Sequence, residues 1–227
     1  MGVRGVLFDS GDTLIRPVGG RWNPRFDFAE IVLRHLPGLA VESFPPAFAA
    51  GQQVLDAGPA TPSLAEYHRA ILGALGVRRP PRELLWELEQ PGTRPLVEPF
   101  AEVPGVLERL RAGGVGMAIV SDNWPGLEGL YRQLGLHTYF QAFVTSAELG
   151  CRKPDPRMYR AGSDALGLPP RECLFVDDDP DLVAAAIGLG YGGTAIIRGA
   201  EPPTAVPWIG TLEDLPPMTG PSARSTP

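Results

Sequence analysis

Val6-Leu7-Phe8-Asp9-Ser10-Gly11-Asp12-Thr13-Leu14 is the stretch of this 227-residue sequence that identifies its fold. A short apolar run ends at Asp9, and a run of this kind, bounded by turn-forming residues, is typical of a parallel strand buried on both faces. The ligands of open parallel sheets bind just beyond the carboxyl ends of the strands. The stretch therefore predicts an α/β protein whose first strand carries Asp9 to the ligand-binding edge of the sheet.

Three further polar clusters follow apolar runs or lie between them: Ser121-Asp122-Asn123, Arg152-Lys153-Pro154-Asp155 and Asp177-Asp178-Asp179. Because parallel strands end at one edge of a sheet, we expect carboxylates, a hydroxyl and a lysine to meet there. Crowded carboxylates repel one another, so a hard cation such as Mg²⁺ would bind them well. A lysine and a serine beside that cation would bind phosphate oxygens, and an Asp carboxylate could attack phosphorus.

Strand-like and helix-like segments alternate from Val103 onward, which predicts a Rossmann-like parallel sheet with helices on both faces. Three helices are expected to begin near prolines 104, 125 and 156 and to end at glycines 113, 135 and 167. An Ala-rich helix that ends at Gly190 follows the strand 173–176. The predicted strands cover residues 3–8, 115–120, 142–145, 173–176 and 194–197.

The pattern of residues of about 27–90 differs from this alternation, because their apolar residues recur with helical periodicity and no strand is evident between them. We therefore predict a small α-helical domain, residues 16–100, inserted after the first strand of a core domain that comprises residues 1–15 and 101–227. The Pro/Ser/Thr-rich tail, about 216–227, is predicted to be disordered.

Composition and charge exclude several classes of partner. The net charge of −6 argues against nucleic acid and anionic membranes. No signal peptide opens the sequence, and no apolar run approaches the roughly 20 residues that span a bilayer. The two cysteines, 151 and 173, have no metal-binding spacing. These features favour a soluble cytoplasmic protein that acts on a small molecule; they leave its oligomeric state open.

Four motifs, in order and at compatible spacing, resemble those of the haloacid dehalogenase (HAD) superfamily. The resemblance covers roughly residues 1–15 and 100–200. The motifs are Phe8-Asp9-Ser10-Gly11-Asp12-Thr13-Leu14, Ile119-Val120-Ser121, Lys153-Pro154-Asp155-Pro156 and Phe175-Val176-Asp177-Asp178-Asp179-Pro180.

The resemblance implies a role for each motif. Asp9 would be the nucleophile, the hydroxyl of Ser121 would bind phosphate, and Lys153 would neutralise phosphate and nucleophile. Direct Mg²⁺ ligands would be Asp9, Asp178 and the backbone carbonyl of Gly11. The helical insert is similar to the family's C1-type cap, which closes over the site and selects the substrate.

Two residues close to the motifs are further candidates for substrate binding. Asn123 follows Ser121 by two positions, although a loop or cap role is the alternative. Arg21 lies where the family's flap enters the cap and could hold an anionic substrate, or could belong to a packed hinge.

The sequence departs from the family's phosphatase pattern at two positions. Gly11 stands where the general acid/base Asp usually lies, so we list the neighbouring Asp12 as the catalytic substitute. Leu182 occupies a position usually held by Asp or Asn near the metal. Asp179 or Asp181 could compensate through water, and Asp177 is a further candidate.

The leading hypothesis is a Mg²⁺-dependent hydrolase of a small phosphate monoester that acts through an aspartyl-phosphate on Asp9, with reduced turnover. One alternative is a phosphate-ligand binding or regulatory protein with degenerate catalysis, which Gly11 and Leu182 motivate. The other is a 2-haloacid dehalogenase, a type of enzyme that also lacks the acid/base Asp but needs no Mg²⁺.

Overall fold

The computed structural model describes residues 2–90, 95–199 and 205–218. The described residues form eight strands, which are β1 (Gly5–Phe8), β2 (Ile15–Pro17), β3 (Val97–Pro99), β4 (Gly116–Ser121), β5 (Ala142–Thr145), β6 (Cys173–Asp177), β7 (Gly192–Ile196) and β8 (Trp208–Ile209). They also form nine α-helices, which are α1 (Phe28–His35), α2 (Phe44–Ala57), α3 (Leu64–Ala74), α4 (Arg82–Glu89), α5 (Val103–Ala112), α6 (Leu127–Gln133), α7 (Ser146–Leu149), α8 (Pro156–Ala165) and α9 (Pro180–Gly188).

A six-stranded parallel sheet organises the core, in the order β5-β4-β1-β6-β7-β8. The first strand lies inside the sheet, and the chain builds outward from it on one side through β4 and β5, then on the other through β6 to β8. The predicted α/β Rossmann-like fold is therefore confirmed, and each of the five predicted strands is present within a few residues of its expected bounds. The two-residue strand β8, the short helix α7 and the small β2–β3 sheet were not predicted.

Burial explains why the apolar runs form these strands. Every residue of β1 is buried, as expected for a parallel strand that is covered on both faces. Leu7, Val120 and Phe175, from the three central strands, belong to one apolar cluster. A β-carbon at Gly162 of α8 would lie 2.6 Å from Val120 and 3.1 Å from Leu7, so glycine permits a close helix–sheet approach. This close packing fixes α8, whose preceding loop contains Lys153.

Contacts between residues divide the chain into two compact units, one of residues 1–15 with 99–227 and the other of residues 16–98. The second unit overlaps the predicted insert, whose function as a cap stays a prediction. Of the predicted disordered tail, residues 216–218 have no regular secondary structure and residues 219–227 lie outside the described part of the chain.

Within the described residues, the second unit contains helices α1 to α4 and parts of β2 and β3, and it has its own aromatic centre. Phe28 packs edge to face against Phe44 and Phe48 and lies 5.6 Å from the ring of His68, measured between centroids. Burial lowers the pKa of His68 to about 4, with a smaller contribution from Arg25. Within the described residues, no helix is both long and apolar enough to cross a membrane.

Candidate active site

Asp9 is held between the two strands that flank β1. The Cα of Phe8 lies level with those of Ile119 in β4 and Val176 in β6. The next backbone N–H, that of Asp9, donates to the carbonyl of Val176 at 2.8 Å. The parallel register therefore places the last residues of β4 and β6, Ser121 and Asp177, at the same sheet edge as Asp9.

Lys153 joins the two central carboxylates of this edge. Its Nζ donates to Oδ1 of Asp9 and to Oδ2 of Asp177, each at 2.6 Å, and all three side chains are almost wholly buried. Burial alone would lower the pKa of Lys153, but Asp9, Asp177 and Asp122 outweigh it and raise the pKa. The lysine is therefore a permanent cation. Burial is the main cause that raises the pKa of Asp177, and the charge of Asp9 raises it further. Lys153 has the opposite effect, but it is smaller than the two together.

Asp178 completes a cluster of three acids at the edge of the sheet. One carboxylate oxygen each from Asp9, Asp177 and Asp178 can be chosen so that all three lie within 4.8 Å of one another. Partial desolvation, followed by the charges of Asp9, Asp177 and Asp12, raises the pKa of Asp178 to about 7. Lys153 pairs with two of these three carboxylates, so the cluster keeps an excess of negative charge that a divalent cation would neutralise.

The oxygens of Asp177 are already engaged. Oδ2 accepts from Lys153, and Oδ1 accepts from the backbone N–H of Asp179 at 2.9 Å. By contrast, Asp9 contacts Lys153 through Oδ1, which leaves its second oxygen for other chemistry. Oxygen donors of this type fit Mg²⁺, and the arrangement favours Asp9 and Asp178 over Asp177 as its direct ligands.

The turn after Asp9 brings Gly11 and Asp12 back toward the strand. The carbonyl of Ser10 accepts from the N–H groups of Leu14 and Ile15, both at 3.0 Å, and that of Gly11 accepts from Thr13. Asp12 lies at the centre of this turn in the left-handed region, with φ of +50°. Its carboxylate is close enough to Asp178 to raise the pKa of that group.

Three residues predicted for the site lie in different surroundings, and so does Leu182, which departs from the family pattern. Ser121 is buried at the end of β4. The side-chain oxygen of Asn123 accepts from the N–H of Trp124 at 2.8 Å, which is a local loop contact. Arg21 belongs to the helical unit, where its guanidinium lies 4.6 Å above the ring of Phe48. Leu182 packs against the apolar core, so its side chain contributes to folding. The substrate roles of Ser121, Asn123 and Arg21 stay predictions.

The two acids that precede Leu182, Asp179 and Asp181, have different roles at the start of α9. Asp179 caps α9, because its side chain accepts from the N–H of Asp181 at 2.8 Å. Asp181 lies in the first turn of that helix. Compensation by either acid for the missing carboxylate at Leu182 stays a prediction.

Sequence analysis did not assign three residues that support this site. Asp177, in the run of three acids, is a partner of Lys153. Asp122 accepts from the backbone N–H of Lys153 at 3.1 Å and so holds the lysine loop. Tyr131 of α6 shares a buried hydrogen bond of 2.9 Å with Ser10, directly beside Asp9. Asp122 and Asp177 lie inside clusters visible in the sequence, whereas nothing near Tyr131 signals its role.

Because of the acid cluster, we expect the free energy of unfolding of the metal-free protein to decrease as pH rises. Asp178 has a pKa of about 7 in the folded protein, above the ordinary value of about 4, so between these pH values the folded state holds more protons than the unfolded state. Its contribution to the free energy of unfolding therefore falls as pH rises through that window. Urea unfolding of the wild type and Asp178→Asn at pH 5 to 8 measures this contribution by difference.

The comparison with Asp178→Asn removes the opposing effect of His68, whose lowered pKa makes stability rise with pH up to about 6.5. Mg²⁺ should stabilise the wild type more at pH 8 than at pH 5, because protons compete with the cation for the acids. Parallel pH profiles of the two proteins without metal would contradict the prediction.

The fold and the site together define an α/β hydrolase with a lysine-paired carboxylate at the centre of its sheet. A family model described as haloacid dehalogenase-like hydrolase matches residues 3–190, and the chain belongs to that family. It is therefore an enzyme of the HAD-like hydrolases, as the resemblance of its motifs predicted.

Similar proteins include both phosphatases and dehalogenases. Phosphatase MT3486 of Mycobacterium tuberculosis (strain CDC 1551 / Oshkosh) is 26% identical over 208 residues, which cover 88% of this chain and 90% of that protein. The crystal structure of a HAD phosphatase from Thermococcus onnurineus has a TM-score of 0.69 at 20% identity and covers 94% of this chain and 96% of its own. The L-2-haloacid dehalogenase from Xanthobacter autotrophicus has a TM-score of 0.59 at 22% identity, with coverage of 88% and 79%. At these identities the two structures establish the shared fold alone.

Proposed function

We propose that the protein hydrolyses a small phosphate monoester through an aspartyl-phosphate on Asp9, with Mg²⁺ as cofactor. The observation that carries this proposal is the buried contact of 2.6 Å between Lys153 and Asp9, beside the carboxylates of Asp177 and Asp178. The similarity to Phosphatase MT3486 over most of both chains supports a phosphate ester as substrate.

The chain's own residues would carry out both half-reactions. Lys153 holds the carboxylate of Asp9 in place, so that one carboxylate oxygen attacks phosphorus while the P–O bond to the alcohol breaks. The bond's electron pair leaves with the alcohol oxygen. Water then attacks phosphorus, phosphate departs, and the carboxylate of Asp9 is restored. The hydroxyl of Ser121 and the ammonium of Lys153 would bind the non-bridging phosphate oxygens.

Asp9 and Asp178, with the carbonyl of Gly11, would hold the Mg²⁺, which supplies charge neutralisation between the acids and the substrate phosphate. Asp177 serves a different purpose in this proposal. Both of its oxygens bind groups of the protein, and it keeps Lys153 in place rather than binding the cation.

Gly11 is the feature that limits the proposed reaction. A side chain that donates or accepts a proton contributes about 10²–10⁴-fold to the rate of a step, and glycine has none to offer. A leaving group that departs without a proton would hide this loss in the first half-reaction. Activation of water in the second half-reaction would still need a base. We therefore infer that dephosphorylation is the slow step.

The excess of carboxylates weighs against the dehalogenase alternative. Displacing halide needs neither a proton donor nor a metal, and a second and third acid beside Asp9 would repel a 2-haloacid carboxylate. Gly11 is the specific observation that favours the other alternative, a phosphate-binding protein with little turnover.

Rapid mixing of the protein with p-nitrophenyl phosphate and Mg²⁺ tests the proposed function. We expect a burst of nearly one nitrophenolate per protein, followed by slower turnover, and loss of both phases in EDTA. Nitrophenolate is a good leaving group, so the glycine at position 11 should leave the burst intact.

Three other outcomes have distinct meanings. No release from this ester or from a panel of phosphorylated metabolites, together with tight binding of one of them, would establish the binding-protein alternative. Halide release from a 2-haloacid that persists in EDTA would establish the dehalogenase. Rapid steady release without a burst would show that dephosphorylation is not the slow step and that the side chain missing at Gly11 does not limit turnover.

A further inference from the structure

Arg198 forms hydrogen bonds with the turn that contains Asp12. This arginine lies two residues after β7, far from the first motif in sequence. Its Nη2 donates to the backbone carbonyl of Thr13 at 3.1 Å, and its Nε donates to the carbonyl of Asp12 at 3.3 Å. Two successive carbonyls therefore point at one planar guanidinium, which fixes the orientation of both peptide planes.

The guanidinium is itself held from the opposite side. Its Nη1 forms an ion pair with Glu102 at 2.6 Å, and its central carbon lies 3.6 Å from the centroid of the Phe100 ring. The side chains of Arg198 and Glu102 are only 22% and 13% exposed, so water screens this ion pair weakly. Phe100 and Glu102 immediately precede α5, a rigid element of the core. The arginine thus joins the turn after β1 to the start of α5.

The turn needs this support because of its backbone conformation. Asp12 has φ of +50°, and a left-handed conformation costs a residue with a β-carbon about 1–2 kcal/mol. Such conformations persist where the surroundings fix them, and they occur often at functional sites. The fixed peptide planes also fix the direction in which the Asp12 side chain leaves the backbone. That carboxylate lies within electrostatic range of Asp178, at the acidic edge of the sheet.

We propose that Arg198 is a positioning residue that holds Asp12 in place as the general base of the second half-reaction, from the position next to Gly11. The inference rests on the proposed function. As water attacks phosphorus, the carboxylate of Asp12 accepts its proton. The bond between phosphorus and Asp9 breaks, and its electron pair remains on the Asp9 carboxylate.

The test separates the two half-reactions in Arg198→Ala and Arg198→Lys. With p-nitrophenyl phosphate and Mg²⁺, we expect the first nitrophenolate to form at a rate within about twofold of the wild type. Steady turnover should fall about 10–100-fold in Arg198→Ala, because a general base contributes about 10²–10⁴-fold. The fall should be smaller in Arg198→Lys, because lysine keeps a positive charge that can donate hydrogen bonds. Some loss should remain, because a point charge does not replace the planar guanidinium.

Acid-quenched samples analysed by intact mass supply a readout that a merely structural role would not change. Slower dephosphorylation predicts that, once the substrate is removed, the phosphoryl group is lost about 10–100-fold more slowly from Arg198→Ala than from the wild type. Asp12→Asn should slow the same step at least as much as Arg198→Ala, and the double variant should be no slower than Asp12→Asn alone, since both changes act on one function.

Arg111→Ala is the matched control for general loss of stability. Arg111 also combines an ion pair, with Glu108, and a ring contact, with Tyr139, but it lies at the other end of α5. It should leave both kinetic phases unchanged.

The inference is wrong if Arg198→Ala loses its phosphoryl group as fast as the wild type while its turnover falls, if its turnover is unchanged, or if the Asp12 and Arg198 effects multiply. Should Arg198→Ala fail to fold, the same criteria apply to Arg198→Lys. Absence of any phosphorylated wild-type protein and of any effect of Asp9→Asn would instead overturn the proposed function, and the inference with it.

Discussion

Replacement of Asp9 by Asn is expected to lower the turnover rate with p-nitrophenyl phosphate by about 10⁴–10⁶-fold, the range found when a covalent nucleophile is removed. Asparagine preserves the shape of the side chain, but its amide cannot form the bond to phosphorus. The burst should vanish together with the steady phase. Stopped-flow release of nitrophenolate measures both phases in one experiment.

The stability of the same variant distinguishes lost chemistry from lost folding. Asp9 shares Lys153 with Asp177 and lies beside Asp178, so removing its charge relieves repulsion as well as breaking an ion pair. We therefore expect a free energy of unfolding without metal that equals or exceeds that of the wild type, and a smaller stabilisation by Mg²⁺. Asp164→Asn, on the exposed side of α8, is the matched control and should retain full activity. Turnover by Asp9→Asn above a hundredth of the wild-type rate would contradict the assignment.

The fold could be predicted because its decisive signals are local. Each core strand is a short run of apolar residues, and prolines and glycines near the ends of the helices separate these runs. Such signals identify β1 and β6 without knowledge of their neighbours. The strand β8 has no such signal, since its two residues pair with β7 only after the chain has folded back. Its existence depends on tertiary contacts.

The candidate site was predictable to the same extent. The clusters at the strand ends place Asp9, Lys153 and the acidic run at one edge, because parallel strands end together. The sequence cannot say which of three consecutive aspartates contacts the lysine. In the folded chain, Asp177 is the last residue of β6 and is buried, whereas Asp178 begins the loop and is exposed. The contact between Arg198 and the turn at Asp12 spans 186 residues, and no local pattern encodes it.

The second large effect is expected from Lys153→Met. Methionine approximates the length of lysine without its charge, so Asp9 and Asp177 would remain buried with no ammonium between them. Loss of one partner from a buried ion pair costs about 3–5 kcal/mol, and we expect a decrease of that size in the free energy of unfolding at pH 8 without metal. Turnover should fall at least about 10²–10³-fold, as when a donor to a developing anion is removed.

The dependence on pH and a second substitution identify the cause of this destabilisation. Without the lysine, the pKa of Asp177 should rise further above its value in the unfolded chain, so the lost stability should return as pH falls from 8 to 5. Lys153→Met/Asp177→Asn should recover much of the stability at pH 8, because only one buried acid remains, yet it should stay inactive. Urea unfolding of the three proteins at both pH values measures the coupling between the two positions. If Lys153→Met were as stable as the wild type at pH 8 and retained turnover, the paired lysine would be neither the neutralising charge of this site nor part of its chemistry.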